Sequence, residues 1–212
     1  MLDIIRKNGT TLAIFAAVTT GLTSIIHVIT QPDIQLQTVL KQQSLLDEII
    51  PSVLYTNNIQ SSCYAICNPA LGDNKNHRIY IAKKNNTPVA VAIETTAPDG
   101  YSGNIQMIVG ANFNGLIYGV RIVEHHETPG LGDKIDDHLS NWIHNFHNKQ
   151  IHKEKINKFA VKKDGGDFDQ FTGATITPRA VVNAVKRTVL YVQALKGKIS
   201  TLQPFNRVNT NA

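Results

Sequence analysis

Hydrophobic and polar positions follow different periods in different parts of the chain, and each period predicts a different kind of element. No charged residue occurs between Lys7 and Asp33, and the stretch from Leu12 to Ile29 is mainly apolar. About twenty helical residues cross the hydrocarbon core of a bilayer. The pattern therefore predicts a transmembrane helix over residues 10–31, with Pro32 at its end.

A cleaved signal peptide and a buried helix are the alternatives for this stretch. Neither a small-x-small cleavage site nor a lipid-accepting cysteine follows the apolar run, which favours an uncleaved anchor. Arg6 and Lys7 precede the span and Asp33 follows it. Because cytoplasmic flanks are enriched in Lys and Arg, residues 1–9 are expected in the cytoplasm and the rest of the chain beyond the membrane.

After Pro32 the apolar positions take the spacing of an amphipathic helix that stops before Pro51. The predicted apolar face comprises Leu36, Val39, Leu40, Leu46, Ile49 and Ile50. We expect a stalk helix and linker over residues 32–60 that pack onto the following domain.

From Ile79 onward the period changes to two, which predicts β-strands. The turn at Pro98-Asp99-Gly100 separates two predicted hairpins. The first hairpin pairs residues 79–84 with 89–94 around Asn85-Asn86-Thr87-Pro88, and the second pairs 104–110 with 116–125 around Asn114-Gly115. The result is an antiparallel meander of about four strands.

Helical spacing returns after the meander. One helix, capped by Asp133, would place Ile135, Leu139, Trp142 and Phe146 on one face. Residues 156–162 could form a further strand. The last helix is predicted from Pro178 to about Lys196, with Thr177 as its N-cap and a core face of Val181, Val182, Val185, Val189 and Leu195.

These elements predict an α+β protein. A single N-terminal transmembrane helix precedes one mixed α/β domain over residues 61–200 with a mainly antiparallel sheet, and residues 201–212 form a loose tail. The apolar fraction of 42% and the charged fraction of 17% suit a folded core rather than disorder.

The charge and the cysteines narrow the class of protein. The net charge of +5 is spread along the chain apart from a Lys/His-rich run over residues 149–163. Phe159 is the one aromatic residue in that run, too little aromatic interleaving for a nucleic-acid patch, so the run predicts a solvated face and no nucleic-acid partner. Two cysteines are too few for a disulfide-dense scaffold or a four-cysteine zinc site. Cys63 and Cys67 lack further ligands at zinc spacing, and whether they form a disulfide or stay as thiols remains open at this point.

The string from Asp169 to Pro178 is the first candidate site. Gly173 and Ala174 leave the backbone uncovered just before the predicted last helix, and the hydroxyls of Thr172, Thr175 and Thr177 lie close by in sequence. A helix N-terminus offers unpaired N–H groups and a positive dipole end, which favour a phosphate. An ordinary polar loop with a helix cap is the alternative.

A second string, His125-His-Glu-Thr-Pro-Gly-Leu-Gly132, follows the last predicted strand. Thr-Pro-Gly followed by another Gly is typical of a tight turn, so a purely structural role is the alternative for this string.

Together the two strings resemble the signatures Asp-x-x-Ser/Thr-Gly-Ala-Thr-x-Ser/Thr and His-x-Glu-Thr-Pro-Gly-Leu-Gly of the FMN-binding domain family found in ion-translocating flavoprotein complexes. In that family a phosphoester bond joins the FMN phosphate to the Thr that follows Gly-Ala in the first signature. The resemblance therefore implies covalent FMN on Thr175. It also implies that Glu127 and Thr128 contact the flavin ring. The remaining implied cofactor-binding residues are Asp169, Thr172, Gly173, Ala174, Thr177, Pro129, Gly130, Leu131 and Gly132.

The resemblance also implies an electron-transfer subunit of an oxidoreductase-driven ion pump, with no catalytic residue of its own. Such a subunit resides in the bacterial inner membrane with its flavin domain in the periplasm. Its expected partners are the other subunits of the complex, membrane lipid, and a flavin transferase that uses FAD and magnesium. Rnf-type complexes and the C subunit of sodium-translocating NADH:quinone reductase share these features, and the compact length favours the Rnf type. A membrane-anchored sensor or assembly module that binds flavin or phosphate non-covalently is the alternative of a different class.

Overall fold

The computed structural model describes residues 2–199 and 202–205, and the side chains at positions 2–4, 32–42, 153 and 203 lie outside this description. The chain divides into two compact units, Met1–Ser44 and Leu45–Ala212.

Helix α1, Leu2–Ile49, begins in the first unit and ends in the second. Its segment Ile5–Gln31 is long and apolar enough to cross a membrane, and the most apolar 18 residues within it have a mean hydropathy of 2.0. Threonine hydroxyls in this segment donate to carbonyls of their own helix, for example Thr19 to the carbonyl of Phe15 at 2.9 Å and Thr30 to that of Ile26 at 2.8 Å. These bonds lower the cost of placing hydroxyls in an apolar environment.

The predicted span and the predicted stalk helix are parts of one helix, because α1 continues through Pro32. Proline removes one backbone hydrogen bond and costs about 3 kcal/mol inside a helix. Since helix propagation is cooperative, the turns on both sides carry the helix across that single gap. The predicted apolar positions Leu36, Val39 and Leu40 have side chains outside the described part of the chain.

The second unit contains an antiparallel sheet. Its strands are β1 Cys63–Ile66, β2 His77–Lys84, β3 Thr87–Gly100, β4 Gly103–Asn112, β5 Ile117–Glu124 and β6 Gln203–Pro204. The order is β5-β4-β3-β2-β1-β6, and every neighbouring pair is antiparallel. Both predicted hairpins are confirmed. Sequence analysis missed β1, and β6 lies where a loose tail was predicted.

Helix α2, Ile176–Leu195, covers one face of the sheet. Val91 and Ile93 of β3 point to this face, whereas Ala90 and Ala92 point to the other face, as expected for alternating side chains. The predicted core residues of α2 are all buried, namely Val181, Val182, Val185, Val189 and Leu195. The predicted α+β fold with a mainly antiparallel sheet is therefore confirmed.

The end of α1 covers the opposite face. Leu46, Ile49 and Ile50 are fully buried there. Ile49 lies against Gly110 and Gly119, which are paired across β4 and β5. A Cβ atom at Gly110 would lie 2.2 Å from Cγ2 of Ile49, so only glycine admits the helix end at this distance. Residues 45–60, predicted as stalk and linker, thus belong to the second compact unit.

Two other predicted elements are wrong. The single helix after Asp133 is replaced by two 3₁₀ helices, Gly132–Ile135 and Asn141–Phe146, and Leu139 between them is exposed. The helix is interrupted at Ser140, which has an extended backbone and is the N-cap of the second 3₁₀ helix. Its hydroxyl accepts from the Trp142 N–H at 3.2 Å.

The predicted strand over residues 156–162 is also absent. A 3₁₀ helix, Lys153–Lys158, occupies its first part, and Val161 forms only an isolated bridge with Phe168. Phe159 and Val161 are buried in the core on the α2 side of the sheet without being part of the sheet. Their apolar character therefore reflects burial in this core and not a strand.

Cys63 and Cys67 are thiols that are not joined in a disulfide. Cys63 begins β1 and Cys67 follows its last residue. Four residues of extended chain span about 13 Å, whereas a disulfide needs Cα atoms within about 7 Å. The open alternative is therefore resolved in favour of thiols for this structure.

Candidate functional site

A cleft of about 240 Å³ brings the two sequence strings together in the second unit. Its lining comes from the loop after β5, the turn before α2, the start of α2 and the β3–β4 turn. The lining residues are Tyr101, Glu127, Thr128, Leu131, Gly132, Gly173, Ala174, Thr175, Ile176 and Thr177. Four predicted site residues, Pro129, Gly130, Asp169 and Thr172, do not line it.

Two tight turns shape the walls of the cleft. In the first, the Thr128 carbonyl accepts from the Leu131 N–H at 3.1 Å, and Gly130 has φ +77°. Proline at the second position and a positive-φ glycine at the third are typical of a type II turn. In the second turn the Phe171 carbonyl accepts from the Ala174 N–H at 3.1 Å, and Gly173 has φ +81°. Both glycines adopt a backbone conformation that other residues rarely reach.

Helix α2 begins at Ile176 with Thr175 as its N-cap, so the prediction of Thr177 as N-cap is wrong. The helix accommodates Pro178 inside its first turn because N–H groups there have no intrahelical acceptor in any case. The Thr175 side chain makes no capping hydrogen bond. Thr175 lines the cleft wall at the positive end of the helix dipole.

Glu127 is 5% exposed, and protein groups bond to both of its carboxylate oxygens. Oε1 accepts from the Ser102 N–H at 3.1 Å, and Oε2 accepts from the hydroxyl of Thr177. The Glu127 N–H donates to Nδ1 of His125 at 3.2 Å. The side chain thus joins the β3–β4 turn, the loop after β5 and the first turn of α2.

Asp169 lies outside the cleft with an exposed side chain. Its carboxylate pairs with the Lys162 ammonium, with Oδ1 2.5 Å from Nζ. Its backbone carbonyl accepts from Nε1 of Trp142 at 2.7 Å, and the Trp142 ring packs edge-on against Phe171. The main chain leading to the turn at Gly173 is therefore fixed to the core beneath the cleft.

The cleft carries few charges of its own. Glu127 is the one acidic residue among its lining residues, and no acidic residue occurs in the first turn of α2. Arg179, in that turn, bonds to both carboxylate oxygens of Asp164 at 2.6 and 2.8 Å, and this contact lowers the pKa of Asp164. The positive end of α2 is thus left available to an anion.

Sequence analysis missed Tyr101 and Ile176. Together with Leu131 they form an exposed apolar rim of the cleft, with exposed fractions of 67%, 45% and 43% in the order Tyr101, Ile176, Leu131. Turn residues are usually small or polar, so an aromatic residue in the turn after Gly100 was the available signal.

The comparisons with known proteins agree with this geometry. Residues 100–189 match the family model of the FMN-binding domain, and residues 1–49 match that of the RnfG N-terminal region. The fold and the cleft thus define an FMN-binding domain preceded by an apolar N-terminal helix.

Relatives match almost the whole chain. The G subunit of the ion-translocating oxidoreductase complex of Erwinia tasmaniensis is 63% identical over 95% of this chain and 96% of its own length. The protein of the same description from Escherichia coli is 56% identical over 95% of this chain and 98% of its own length. The chain belongs to the family of G subunits of ion-translocating oxidoreductase complexes. Its fold is also similar to the crystal structure of Shewanella oneidensis NqrC, with 21% identity, coverage of 72% and 74% of the two chains, and a TM-score of 0.48.

Proposed function

We propose that this chain is the FMN-carrying subunit of an ion-translocating oxidoreductase complex and relays electrons within it. FMN is joined through its phosphate to the hydroxyl of Thr175. The observation that carries the proposal is the position of Thr175, which lines the cleft at the start of α2 and whose side chain makes no capping bond. The chain has no independent catalytic activity in this proposal.

The cleft residues fit an FMN group in three respects. The helix start supplies N–H groups and a positive dipole for the phosphate. Gly132, Gly173 and Ala174 keep that end of the cleft free of bulky side chains. The exposed side chains of Tyr101 and Leu131 provide an apolar surface for a flavin ring.

The size of the cleft gives a reason for a covalent bond. Pockets that enclose a drug-sized ligand usually measure about 300–1,000 Å³. A cleft of about 240 Å³ holds part of FMN and leaves the rest accessible. A phosphoester then prevents loss of the cofactor.

The chain's residues position the cofactor, and a bound flavin supplies one- and two-electron transfer. Thr175 carries the attachment, and Thr128, Leu131 and Gly132 form the facing wall. Pro129 and Gly130 shape the turn that presents this wall. Asp169 and Thr172 are exposed just before Thr175 in the chain, and in this proposal the flavin transferase contacts them during attachment.

The anchor determines where this chemistry takes place. In our proposal α1 crosses the bacterial inner membrane once, with the N-terminus in the cytoplasm and the flavin domain in the periplasm. The span Ile5–Gln31, with Arg6 and Lys7 at its N-terminal end, supports this orientation. Membrane lipid and other subunits of the complex are then its partners.

The test is to produce the full-length chain together with a flavin transferase, FAD and magnesium. We expect flavin fluorescence to stay with the chain after denaturation, and the tryptic peptide containing Thr175 to gain the mass of FMN less one water. Thr175→Ala should abolish both signals. Thr87→Ala, at an exposed threonine at the start of β3, is the matched control and should keep them.

Two results would contradict the proposal. A Thr175→Ala protein that kept its flavin through denaturation would exclude attachment at this residue. Flavin that left the wild-type chain on denaturation would instead indicate a non-covalent binding module.

A further inference from the structure

We propose that Glu127 is a positioning residue that acts through Thr177. Its buried carboxylate fixes the first turn of α2, and therefore Thr175, against the loop after β5. The inference rests on the proposed function, which makes Thr175 the attachment residue. The bond between Glu127 and Thr177 also explains why the chain contains both sequence strings, because each string supplies one of its two partners.

Burial and bonding separate Glu127 from a side chain that awaits a ligand. Glu127 is 5% exposed and Thr177 is 1% exposed. The carboxylate accepts from the Thr177 hydroxyl at one oxygen and from the Ser102 N–H at the other. Hydrogen bonds to a charged acceptor are stronger than neutral ones, and a buried carboxylate that loses its donors is costly.

Two glycines leave room for this carboxylate. A Cβ atom at Gly132 would lie 2.8 Å from Glu127 Oε2 and 2.8 Å from Thr177 Oγ1, the two atoms of the bond. A Cβ atom at Gly100 would lie 2.9 Å from Oε1 of Glu127. Gly132 has no left-handed φ, so space and not backbone conformation requires glycine there.

The position of Thr175 follows from this bond. Thr175 is the N-cap of α2 and Thr177 lies in its first turn, so fixing Thr177 fixes the Thr175 hydroxyl relative to Thr128 and Leu131. Attachment forms a bond between Thr175 Oγ and the FMN phosphorus, breaks the phosphoanhydride bond of FAD, and releases AMP and the hydroxyl proton. Group transfer of this kind is sensitive to misplacement, since an error of about 1 Å can cost about 100-fold in rate.

The experiment measures the rate at which the transferase loads FMN from FAD onto full-length chain in detergent. Thr177→Ser keeps the hydroxyl and should load within about 2-fold of wild type. Thr177→Val keeps the size but removes the donor, and it should load at least about 10-fold more slowly. Thr188→Val is the matched control, because Thr188 is equally buried on α2 and donates to Thr95 at 2.8 Å, away from the cleft. Its loading rate should equal that of wild type.

A second variant tests the same bond without removing either partner. Gly132→Ala inserts a methyl group between Glu127 and Thr177 and should also slow loading at least about 10-fold. Gly197→Ala is its control, since Gly197, like Gly132, has no left-handed φ, and a Cβ atom there would meet nothing within 4 Å. Circular dichroism shows which variants remain folded, and Gly132→Ala decides the outcome if Thr177→Val does not fold.

The combination of Glu127→Ala with Thr177→Val distinguishes this role from direct contact with flavin. If Glu127 acts through Thr177, the double variant loads no more slowly than the slower single variant. Rate losses that multiply, or a Thr177→Val protein that loads at the wild-type rate while Glu127→Ala does not, would overturn the positioning role. A wild-type chain that acquires no FMN at Thr175 would overturn the proposed function itself, and the positioning role with it.

Discussion

The contact of Tyr55 with the end of α1 makes the stability of the fold depend on the pH. Its hydroxyl donates to Oδ1 of Asp47 in the last turn of α1 at 2.9 Å. Burial, then the hydrogen bond to Asp47 and its negative charge, raises the pKa of Tyr55 to about 12 from an ordinary value of 10.0. The folded state therefore holds this proton more tightly than the unfolded state does.

The sign of the pH effect follows from that difference. A raised folded-state pKa contributes stability that is complete below pH 10 and is lost as the pH rises through about 12. We expect wild type to lose more stability between these values than Tyr55→Phe does. Urea unfolding followed by fluorescence of Trp142, the only tryptophan, measures this difference. Parallel losses in both proteins would contradict the role of Tyr55.

At the residue scale the sequence predicts residues that line the cleft better than it predicts the bonds between them. Thr175, Glu127 and Thr177 follow from two contiguous strings. The bond between Glu127 and Thr177 could not be predicted, because fifty residues separate them and only the tertiary fold brings them together. Tyr101 and Ile176 belong to neither signature, so their place at the cleft rim emerges only from the structure.

At the scale of elements, local chemistry decides which predictions succeed. The Asn114-Gly115 turn determines a hairpin within a few residues, and it was found correctly. Apolar spacing alone cannot tell an α-helix from two short 3₁₀ helices, since Trp142 and Phe146 are buried in either case. Strand β1 has only four residues and little buried surface, which explains why no alternation revealed it.

The contact between α1 and the sheet is an element-scale feature with a direct test. Gly110→Ala places a Cβ atom 2.2 Å from Ile49 Cγ2 and 2.9 Å from the Ile49 carbonyl oxygen. We expect a loss of about 1–3 kcal/mol in the free energy of unfolding, as is usual for overpacking. Urea unfolding followed by Trp142 fluorescence measures it. Gly197→Ala is the control, because a Cβ atom there would meet nothing within 4 Å. Equal stability of the two variants would contradict close packing at Ile49.

At the scale of the whole molecule, α1 is one continuous helix that both carries the apolar span and ends in a core. The apolar span and the apolar positions at Leu46, Ile49 and Ile50 were predicted from the sequence. The continuity through Pro32 was not, because local preference disfavours proline inside a helix and the cooperativity of a long helix outweighs it.

The proposed orientation can be tested with a native residue. Cys67 is an exposed free thiol in the second unit. A periplasmic domain predicts that a membrane-impermeant maleimide labels Cys67 in intact spheroplasts without lysis. Cys67→Ser should remove that label, which separates it from the half-buried Cys63. Labelling only after lysis, with reductant present in both samples, would place the domain in the cytoplasm.

The close contact of Ile49 with Gly110 and Gly119 determines where the chain can be truncated to obtain the FMN-binding domain without its membrane helix. A truncated form whose chain starts between residues 32 and 44 keeps Leu46, Ile49 and Ile50. These residues fill the hydrophobic cluster on the face of the sheet opposite α2. A form that starts after Pro51 lacks these residues and exposes an apolar surface of the sheet, and we expect it to self-associate. For the same reason a foreign membrane helix can be grafted only upstream of Leu45, where the second compact unit begins.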